Sequence, residues 1–296
     1  MEKLEVKVSA TSANMGPGFD SVGIALNLYN VLQFERLSEG LIIEGSPEEF
    51  RNEQNLAFLA YKRVMEEIGE NPLGVKINIE TNIPVSRGLG SSAALIAAGA
   101  AAANAFCGYP LSERELITLS TEIEGHPDNL APAFLGGLVA SAVGKKLVAA
   151  VKYTPHPKYK FTVLIPDFKL STERARRVLP KTVSMNDAVS SLSNTAVLLK
   201  CLEIGESQIL SEVANDRLHQ PYRKDLIPGW DSAAQAAEKC SSLAFFISGA
   251  GPTLLCISEN ENFSEEIKPL LKEKGLGGWA VKDLIPDMTP IKIKEL

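Results

Sequence analysis

The segment from Pro84 to Phe106 constrains the fold of this chain more than any other. It reads PVSRGLGSSAALIAAGAAAANAF, a loop with two glycines and neighbouring serines, followed by a run in which alanine dominates. Alanine has the highest helix propensity, so a helix is predicted after the loop. The preceding residues alternate at Val75, Ile77 and Ile79, which is typical of a half-buried strand. The sequence therefore predicts a strand, a tight turn and a small-residue helix in succession.

The glycine loop has the properties of a phosphate site. Backbone N–H groups are unpaired at a helix N-terminus, where the helix dipole adds about half a positive charge. Gly88 and Gly90 let the backbone approach an anion without a Cβ atom in between. Ser91 and Ser92 can cap the helix, and one hydroxyl can bind Mg²⁺. The loop contains no lysine, so a tight turn whose serines only cap the helix explains this segment equally well.

A second candidate segment is TEIEGHPDNLAPAFLGG, residues Thr121–Gly137. A carboxylate near a helix end, followed by histidine, aspartate and asparagine, offers a metal ligand, a base and orienting groups. The alternative is that Asp128 or Asn129 caps a short helix. The candidates in this segment are Glu122, Glu124, His126, Asp128 and Asn129.

Two further segments are rich in small residues. SGAGPT places Gly249 and Gly251 between apolar runs, as an anion-binding nest or as a simple hairpin turn. ATSANMGPGFD offers Asn14 and Asp20 as substrate ligands, or is an irregular connection. Each segment alone supports either interpretation.

Arginines are the candidate ligands for a carboxylate, since their guanidinium groups bind carboxylates through two hydrogen bonds. STERARRVLP contains Arg174, Arg176 and Arg177, and HQPYRKDLIP contains Arg223. A solvated helix face is the alternative, which we prefer for Arg174.

Charge and composition exclude several function classes. The formal net charge is -6 and no Lys/Arg block is present, which disfavours binding to nucleic acid or to anionic membranes. The four cysteines form no CxxC pair and are predicted to be free thiols. The N-terminus has no apolar signal segment, and the alanine run is too short and weakly hydrophobic to span a bilayer. We expect a cytoplasmic protein.

Strands and helices are mixed without strict alternation, which favours an α+β fold with two layers. Helices are predicted over Asn55–Gly69 and Leu111–Gly125, the second with a capping box at Ser112 and Glu115. LYNVLQFERL and GLIIEG are predicted to form a β-ribbon. The Pro/Lys-rich connector Val151–Lys160 indicates a domain boundary, giving domains of residues 1–155 and 156–296.

Together and in this order, these segments resemble the GHMP kinase superfamily, which includes galactokinase, homoserine kinase and mevalonate kinase. PVSRGLGSSAA is similar to the second motif of that superfamily, and SGAGPT to the third. ATSANMGPGFDSVGIAL, EGHPDNLAPAFLGG, LSTERARRVLP and QPYRKDLIPGW are similar to signatures of its homoserine kinase branch. The resemblance covers nearly the whole chain. It implies an N-terminal ATP-binding domain like the second domain of ribosomal protein S5 and a ferredoxin-like C-terminal domain.

The resemblance also implies roles for individual residues at the nucleotide. Ser92, with Ser91 as the alternative, would bind Mg²⁺ together with Glu122, with Glu124 as the alternative. Arg87 would either add positive charge near the phosphates or face solvent. The implied ATP-binding residues are Pro84, Val85, Ser86, Arg87, Gly88, Leu89, Gly90, Ser91, Ser92, Ala93, Ala94, Gly249 and Gly251.

At the acceptor, the resemblance implies that Asp20 binds an ammonium group. Arg176 and Arg223 would bind a carboxylate, with Arg177 as the alternative to Arg176. Asp128 matches a position at which related kinases place a base, and whether a base is needed stays open. The implied substrate-binding residues are Asn14, Asp20, His126, Asn129, Arg176 and Arg223, and the implied catalytic residues are Asp128, Asn129, Glu122 and Ser92.

The activity that the resemblance implies is transfer of the γ-phosphoryl group of ATP to the side-chain hydroxyl of L-homoserine, with Mg²⁺, a step towards threonine. Members of the family often form dimers, so a homodimer is an expectation. Two rival hypotheses remain. One is a kinase of the same superfamily that acts on mevalonate, shikimate or a sugar, and the other is a non-catalytic sensor of ATP or an amino acid.

Overall fold

The computed structural model describes residues 2–71 and 74–296. The strands are Lys3–Ala13 (β1), Val22–Leu37 (β2), Leu41–Glu44 (β3), Gly74–Glu80 (β4), Leu138–Val143 (β5), Val148–Tyr153 (β6), Lys160–Ile165 (β7), Ala244–Ile247 (β8), Leu254–Ser258 (β9), Ala280–Leu284 (β10) and Lys292–Glu295 (β11). The α-helices are Leu56–Ile68 (α1), Ser91–Phe106 (α2), Glu113–Glu124 (α3), Leu130–Leu135 (α4), Thr172–Arg177 (α5), Met185–Ile204 (α6), Ser207–Val213 (α7), Gln220–Arg223 (α8), Trp230–Lys239 (α9) and Phe263–Glu273 (α10). Two short 3-10 helices lie at Glu48–Phe50 and Lys224–Leu226.

The first sheet has seven strands in the order β11-β1-β2-β4-β3, with β5 also paired to β2 and β6 paired to β5. The long strand β2 holds the sheet together, because one part of it pairs with β4 and another with β5. The predicted ribbon of β2 and β3 is wrong in its pairing. The strand β3 instead pairs with β4, in parallel.

The predicted helix ends of α1 and α3 are confirmed. Asn55 caps α1 by accepting a hydrogen bond from a backbone N–H, and Gly69 ends it in the left-handed conformation. Ser112 and Glu115 form the predicted capping box of α3. The prediction that a serine caps α2 is wrong, because Gly90 occupies the N-cap position and no side chain caps this helix.

The alanine-rich helix α2 is buried against its neighbours almost along its whole length. A Cβ atom placed on Gly99 would lie 1.9 Å from the carbonyl oxygen of Ala57, so α1 and α2 are in backbone contact there. Larger side chains at this contact would force the helices apart. The alanine and glycine content of α2 is therefore a packing requirement as well as a source of helix propensity.

The second sheet has four antiparallel strands in the order β10-β7-β9-β8. Numbered along the chain, this is a 4-1-3-2 order. Helices lie between its first and second strands and between its third and fourth, which is the ferredoxin-like arrangement. The predicted α+β class and the ferredoxin-like second domain are confirmed.

The end of the chain returns to the first sheet. The strand β11 pairs with β1, so the prediction that the second domain runs to residue 296 is wrong for this last strand. The predicted boundary between residues 155 and 156 falls in the connection between β6 and β7. Throughout the described residues, every helix is too short or too polar to cross a bilayer.

Asp287 fastens this returning segment to the first sheet. Its carboxylate accepts hydrogen bonds from the Ser9 hydroxyl (2.8 Å), and from the Thr289 hydroxyl (2.6 Å) and backbone N–H (3.0 Å). Burial disfavours the charged carboxylate, but these hydrogen bonds, with a further one from Tyr29, outweigh burial and lower the pKa of Asp287. Because the folded-state pKa is lowered, this stabilisation is present above the unfolded pKa and is lost as the pH falls through the folded pKa.

We expect Asp287→Asn to lower the free energy of unfolding by about 1–3 kcal/mol at pH 7, the range for hydrogen bonds to a charged group. The deficit should shrink below about pH 4, where the wild-type carboxyl group also becomes protonated. Urea unfolding at several pH values measures both effects. Glu261→Gln, which changes an exposed carboxylate, is the matched control and should cost under about 0.5 kcal/mol. A deficit for Asp287→Asn that is the same at every pH would contradict this assignment.

Candidate active site

A cavity of about 490 Å³ lies between the two sheets and their helices, which is within the usual range for a small-molecule site. Four of the segments singled out in the sequence meet at it, together with both candidate carboxylate-binding arginines. The predicted site residues that line it are Asn14, Asp20, Pro84, Val85, Ser86, Arg87, Gly88, Gly90, Ser91, Ser92, His126, Asp128, Asn129, Arg176, Arg223, Gly249 and Gly251. Glu122, Leu89, Ala93 and Ala94 do not line it.

The glycine loop is held by its backbone carbonyl groups. The strand β1, the turn between β8 and β9 and the connection after β7 contribute donors, and the described residues offer no hydrogen-bond acceptor to the N–H groups of residues 86–92. These N–H groups are therefore available to an anion at the start of α2. The four hydrogen bonds run from Leu170 N to Ser86 O (3.1 Å), Thr253 N to Arg87 O (3.1 Å), Ser248 Oγ to Gly88 O (2.6 Å) and Thr11 N to Leu89 O (3.1 Å).

The carboxylate beside this loop is Glu124, and the prediction of Glu122 is corrected. Ser92 donates a hydrogen bond from its hydroxyl to Glu124 Oε1 at 2.7 Å. Glu122 lies on the outer side of α3, where it pairs with Arg63 at 3.0 Å. Residues two apart on a helix differ in direction by about 200°, so the two glutamates cannot face the same site. Burial raises the pKa of Glu124, and its hydrogen bond from Ser92 only partly offsets that effect.

The side chain of Arg87 does not extend into solvent. Its Nη2 donates to the carbonyl oxygen of Asp167 at 2.8 Å, and its Nη1 is buried with no hydrogen-bond partner among the described residues. The guanidinium group thus fastens the glycine loop to the connection that follows β7. Of the two open interpretations of Arg87, the solvent-facing one is wrong.

At the other end of the cavity, Asp20 and Arg176 form a two-pronged ion pair with N···O distances of 2.7 and 3.1 Å. Asn14 orients the turn that carries Asp20, since its Oδ1 accepts from the Asp20 backbone N–H (3.0 Å) and its Nδ2 donates to Gly249 O (2.8 Å). Asn14 and Asp20 both adopt positive φ, which these residue types tolerate better than most. Arg177, the alternative to Arg176, pairs instead with Glu173 on the exposed side of α5.

Arg223 is nearly fully buried, at 1% exposure, and lines the same end of the cavity. It donates to the carbonyl oxygens of Ala175 and Gly249, each at 3.1 Å, and contacts His219 Nδ1 at 3.3 Å. Burial lowers the pKa of Arg223 to about 10, and the charge of Arg176 contributes, so Arg223 stays cationic at neutral pH. This end of the cavity therefore holds two guanidinium groups and one carboxylate.

His219 and Phe19 support this cluster and were missed in the sequence. Arg223 can only donate, so His219 Nδ1 accepts, and its Nε2 donates to Gly16 O at 2.9 Å. The centre of the Phe19 ring lies 5.1 Å from the Arg223 guanidinium group and 5.7 Å from that of Arg176. No periodicity marks either residue as functional, since each becomes relevant only through its neighbours in space.

His126 and Asp128 are hydrogen-bonded to each other between the two ends of the cavity, through His126 Nδ1 and Asp128 Oδ1. Burial lowers the pKa of His126, but the hydrogen bond and charge of Asp128 outweigh burial, so that the net pKa is raised. The imidazole thus competes for the Asp128 carboxylate. Asn129 begins α4 without capping it through its side chain, so the simple capping alternative is wrong.

The cavity also has a partly apolar end that the sequence motifs did not indicate. Phe50 lies there at 51% exposure, an aromatic ring within the charged segment PEEFRNEQ. An aromatic residue in such a polar segment is the one sequence signal that could have indicated this part of the cavity. The other residues at this end include Ser46, Pro47, Gln54, Asn55, Leu56, Ile79, Thr81 and Leu95.

Comparison with known proteins agrees with the arrangement of these segments. The sequence profile described as GHMP kinases N terminal domain matches residues 55–137, and that described as GHMP kinases C terminal matches residues 198–275. A protein of Clostridium botulinum (Type A) named homoserine kinase is 45% identical over 283 residues, 95% of each chain. The chain belongs to the GHMP kinase family. The predicted GHMP kinase fold is confirmed.

Other members of the GHMP kinase family support this assignment. A Caldicellulosiruptor bescii protein named homoserine kinase is 44% identical over 278 residues, covering 92% of this chain and 91% of that protein. The crystal structure of homoserine kinase from Cytophaga hutchinsonii superposes with a TM-score of 0.89 at 27% identity, covering 99% of this chain and 98% of that one. The chain is thus similar to these kinases over nearly its full length.

Gly88 tests the docking of the loop. A Cβ atom there would lie 2.2 Å from the carbonyl oxygen of Ser248 and 2.9 Å from that of Gly251, and neither backbone group can move freely. We expect Gly88→Ala to displace the loop and lower kcat/KM for ATP at least about tenfold, since displacing positioned groups is costly.

Gly108→Ala is the matched control for Gly88→Ala. Gly108 has the same φ of +79°, but nothing lies within 4 Å of its added Cβ. It should cost only about 1–2 kcal/mol of stability from the left-handed backbone, with kcat/KM for ATP unchanged. Equal effects of the two variants on steady-state kinetics would rule out loop docking as the cause.

Proposed function

We propose that this chain transfers the γ-phosphoryl group of ATP to the side-chain hydroxyl of L-homoserine. The observation that carries the proposal is the charge arrangement at the acceptor end, where Asp20, Arg176 and Arg223 lie together. The names of the relatives described above point to the same acceptor.

An amino acid is complementary to these three charges. Its ammonium group needs a carboxylate, for which Asp20 is suited, and its carboxylate needs donors, for which Arg176 and Arg223 are suited. When an amino acid binds, its ammonium group would replace Arg176 as the partner of Asp20, and its carboxylate would replace Asp20 as the partner of Arg176. Mevalonate, shikimate and sugars carry no ammonium group, so binding any of them would leave Asp20 without a cationic ligand group.

ATP fits the other part of the cavity. The free N–H groups of the glycine loop and the start of α2 suit its phosphates, and the apolar end around Phe50 suits the adenine ring. Ser92 and Glu124 offer oxygen ligands 2.7 Å apart, the donor type that Mg²⁺ prefers, so these residues would hold the ion that accompanies ATP. Mg²⁺ supplies neutralisation of charge on the transferring phosphoryl group.

The residues between the two ends align the reaction. Positioning of two bound reactants is worth effective molarities of roughly 10⁵–10⁸ M, whereas general base catalysis is worth ~10²–10⁴-fold. The transition state of phosphoryl transfer is loose, so little proton removal is needed before the bond to the leaving group breaks. One oxygen of the Asp128 carboxylate is already hydrogen-bonded to His126. We infer that Asp128 orients the hydroxyl and accepts its proton late.

An ADP-release assay over homoserine, mevalonate, shikimate and galactose tests the proposed acceptor. We expect activity with homoserine and background rates with the other three. A higher rate of ADP release with one of the other three compounds would identify that compound as the acceptor instead of homoserine. Binding of ATP and homoserine without turnover of any acceptor would favour a non-catalytic sensor.

Arg176→Gln tests the carboxylate ligand. It removes a charged donor from the acceptor end, and we expect KM for homoserine to rise about 10- to 100-fold, the equivalent of ~1.5–3 kcal/mol, with KM for ATP unchanged. Arg177→Gln is the control, since it removes the same charge one residue later on the exposed side of α5. An equal effect of Arg177→Gln would exclude a specific carboxylate contact by Arg176.

Asp128→Asn tests the need for a base. The amide keeps the shape of the side chain but cannot accept the proton, so we expect kcat to fall by no more than ~10²–10⁴-fold and to stay well above the uncatalysed rate. Steady-state kinetics with saturating ATP and homoserine measure this. Loss of kcat to background, with binding of both substrates retained, would instead make Asp128 an essential base.

A further inference from the structure

Thr11 lies at the point where three parts of the site meet, and it was not among the residues predicted to bind a substrate. It belongs to β1 and is fully buried. Its backbone N–H donates to Leu89 O at 3.1 Å, which attaches the glycine loop to the first sheet. Its side chain points to Asn129, at the start of α4, 118 residues away in the sequence.

The Thr11 hydroxyl contacts the carbonyl end of the Asn129 amide. A side-chain amide has a carbonyl oxygen that only accepts and an NH₂ group that only donates. Thr11 Oγ1 donates to Asn129 Oδ1 at 2.7 Å, so the oxygen is engaged away from the cavity. Asn129 lines the cavity, and no described residue accepts a hydrogen bond from its Nδ2. The two N–H donors are therefore left for a ligand.

Gly90 limits the space around this pair. A Cβ atom on Gly90 would lie 1.9 Å from Thr11 Oγ1 and 3.1 Å from Asn129 Oδ1. The N-cap of α2 thus packs directly on the hydroxyl and the amide oxygen. In this space the Thr11–Asn129 hydrogen bond is the only polar contact that orients the amide among the described residues.

We propose that Thr11 is a positioning residue, whose hydroxyl fixes the Asn129 amide with its N–H donors towards the reacting oxygen atoms. This rests on the proposed phosphoryl transfer. The oxygens of the transferring phosphoryl group are anionic and only accept hydrogen bonds, so they match N–H donors. A rotated amide would direct its carbonyl oxygen at the same anionic group, and the contact would become repulsive.

Thr11→Val removes the hydroxyl and keeps the shape of the side chain. We expect kcat with homoserine to fall about tenfold, the typical effect of losing one buried hydrogen bond, with KM for ATP unchanged. Thr11→Ser keeps the hydroxyl and should retain most of kcat. Ser12→Ala is the matched control, because it removes the next buried hydroxyl of β1, which has no hydrogen-bond partner, and it should leave kcat unchanged.

A double-mutant cycle separates positioning from a general structural effect. In an Asn129→Ala background, Thr11→Val should change kcat less than about twofold, since the amide on which the hydroxyl acts is gone. An equal drop in both backgrounds, or no drop in either, would overturn the proposal.

A measurement that does not depend on turnover tests the role of Thr11 separately from the proposed function. The side-chain amide signal of Asn129 in nitrogen-15 NMR spectra, assigned by its loss in Asn129→Ala, should shift in Thr11→Val and stay in place in Ser12→Ala. An unshifted signal in Thr11→Val overturns the positioning role. If the shift is seen but no acceptor is phosphorylated, the proposed function fails while the role of Thr11 in orienting the amide stands.

Discussion

The hydrogen bonds that hold the carbonyl groups of the glycine loop are the constraint on which the rest of the site depends. The loop has no lysine, so in the proposed function its N–H groups and the start of α2 would attract the phosphates. Hydrogen bonds to the loop carbonyls hold the loop in the conformation that leaves these N–H groups free. Ser248 and Thr253 satisfy two of them from the turn between β8 and β9, and Thr11 satisfies another from β1. Both domains thus shape the proposed nucleotide site.

At the acceptor end, contacts within the protein likewise hold the charged groups in place. Burying Arg223 is costly, and its pKa is lowered to about 10, but backbone carbonyls and neutral His219 accept hydrogen bonds from its Nε and Nη1. Asp20 balances the charge of Arg176 at hydrogen-bond distance. Preorganised in this way, the cluster can exchange internal contacts for those of a zwitterion with little rearrangement, which favours fast and specific binding.

Local features of the sequence predicted the local structure well. The ends of α1 and the capping box of α3 depend on residues within three or four positions of each helix end, and these predictions were confirmed. The pairing of β3 was predicted wrongly, because the choice between β2 and β4 depends on where the sheet places its edge. The choice between Glu122 and Glu124 was open for a related reason. Ile117 and Thr121 mark the buried face of α3, and Glu124 continues that face.

The sequence by itself determined the family, the order of the elements and most residues at the cavity, because motif spacing and short-range capping are written along the chain. Only the tertiary structure decided that Glu124 contacts Ser92, that Arg87 binds the connection that follows β7, and that Thr11 contacts Asn129. Each of these contacts joins residues more than thirty positions apart. A local pattern can show which face of a helix is buried, but the partner across such a contact depends on how helices and sheets pack together.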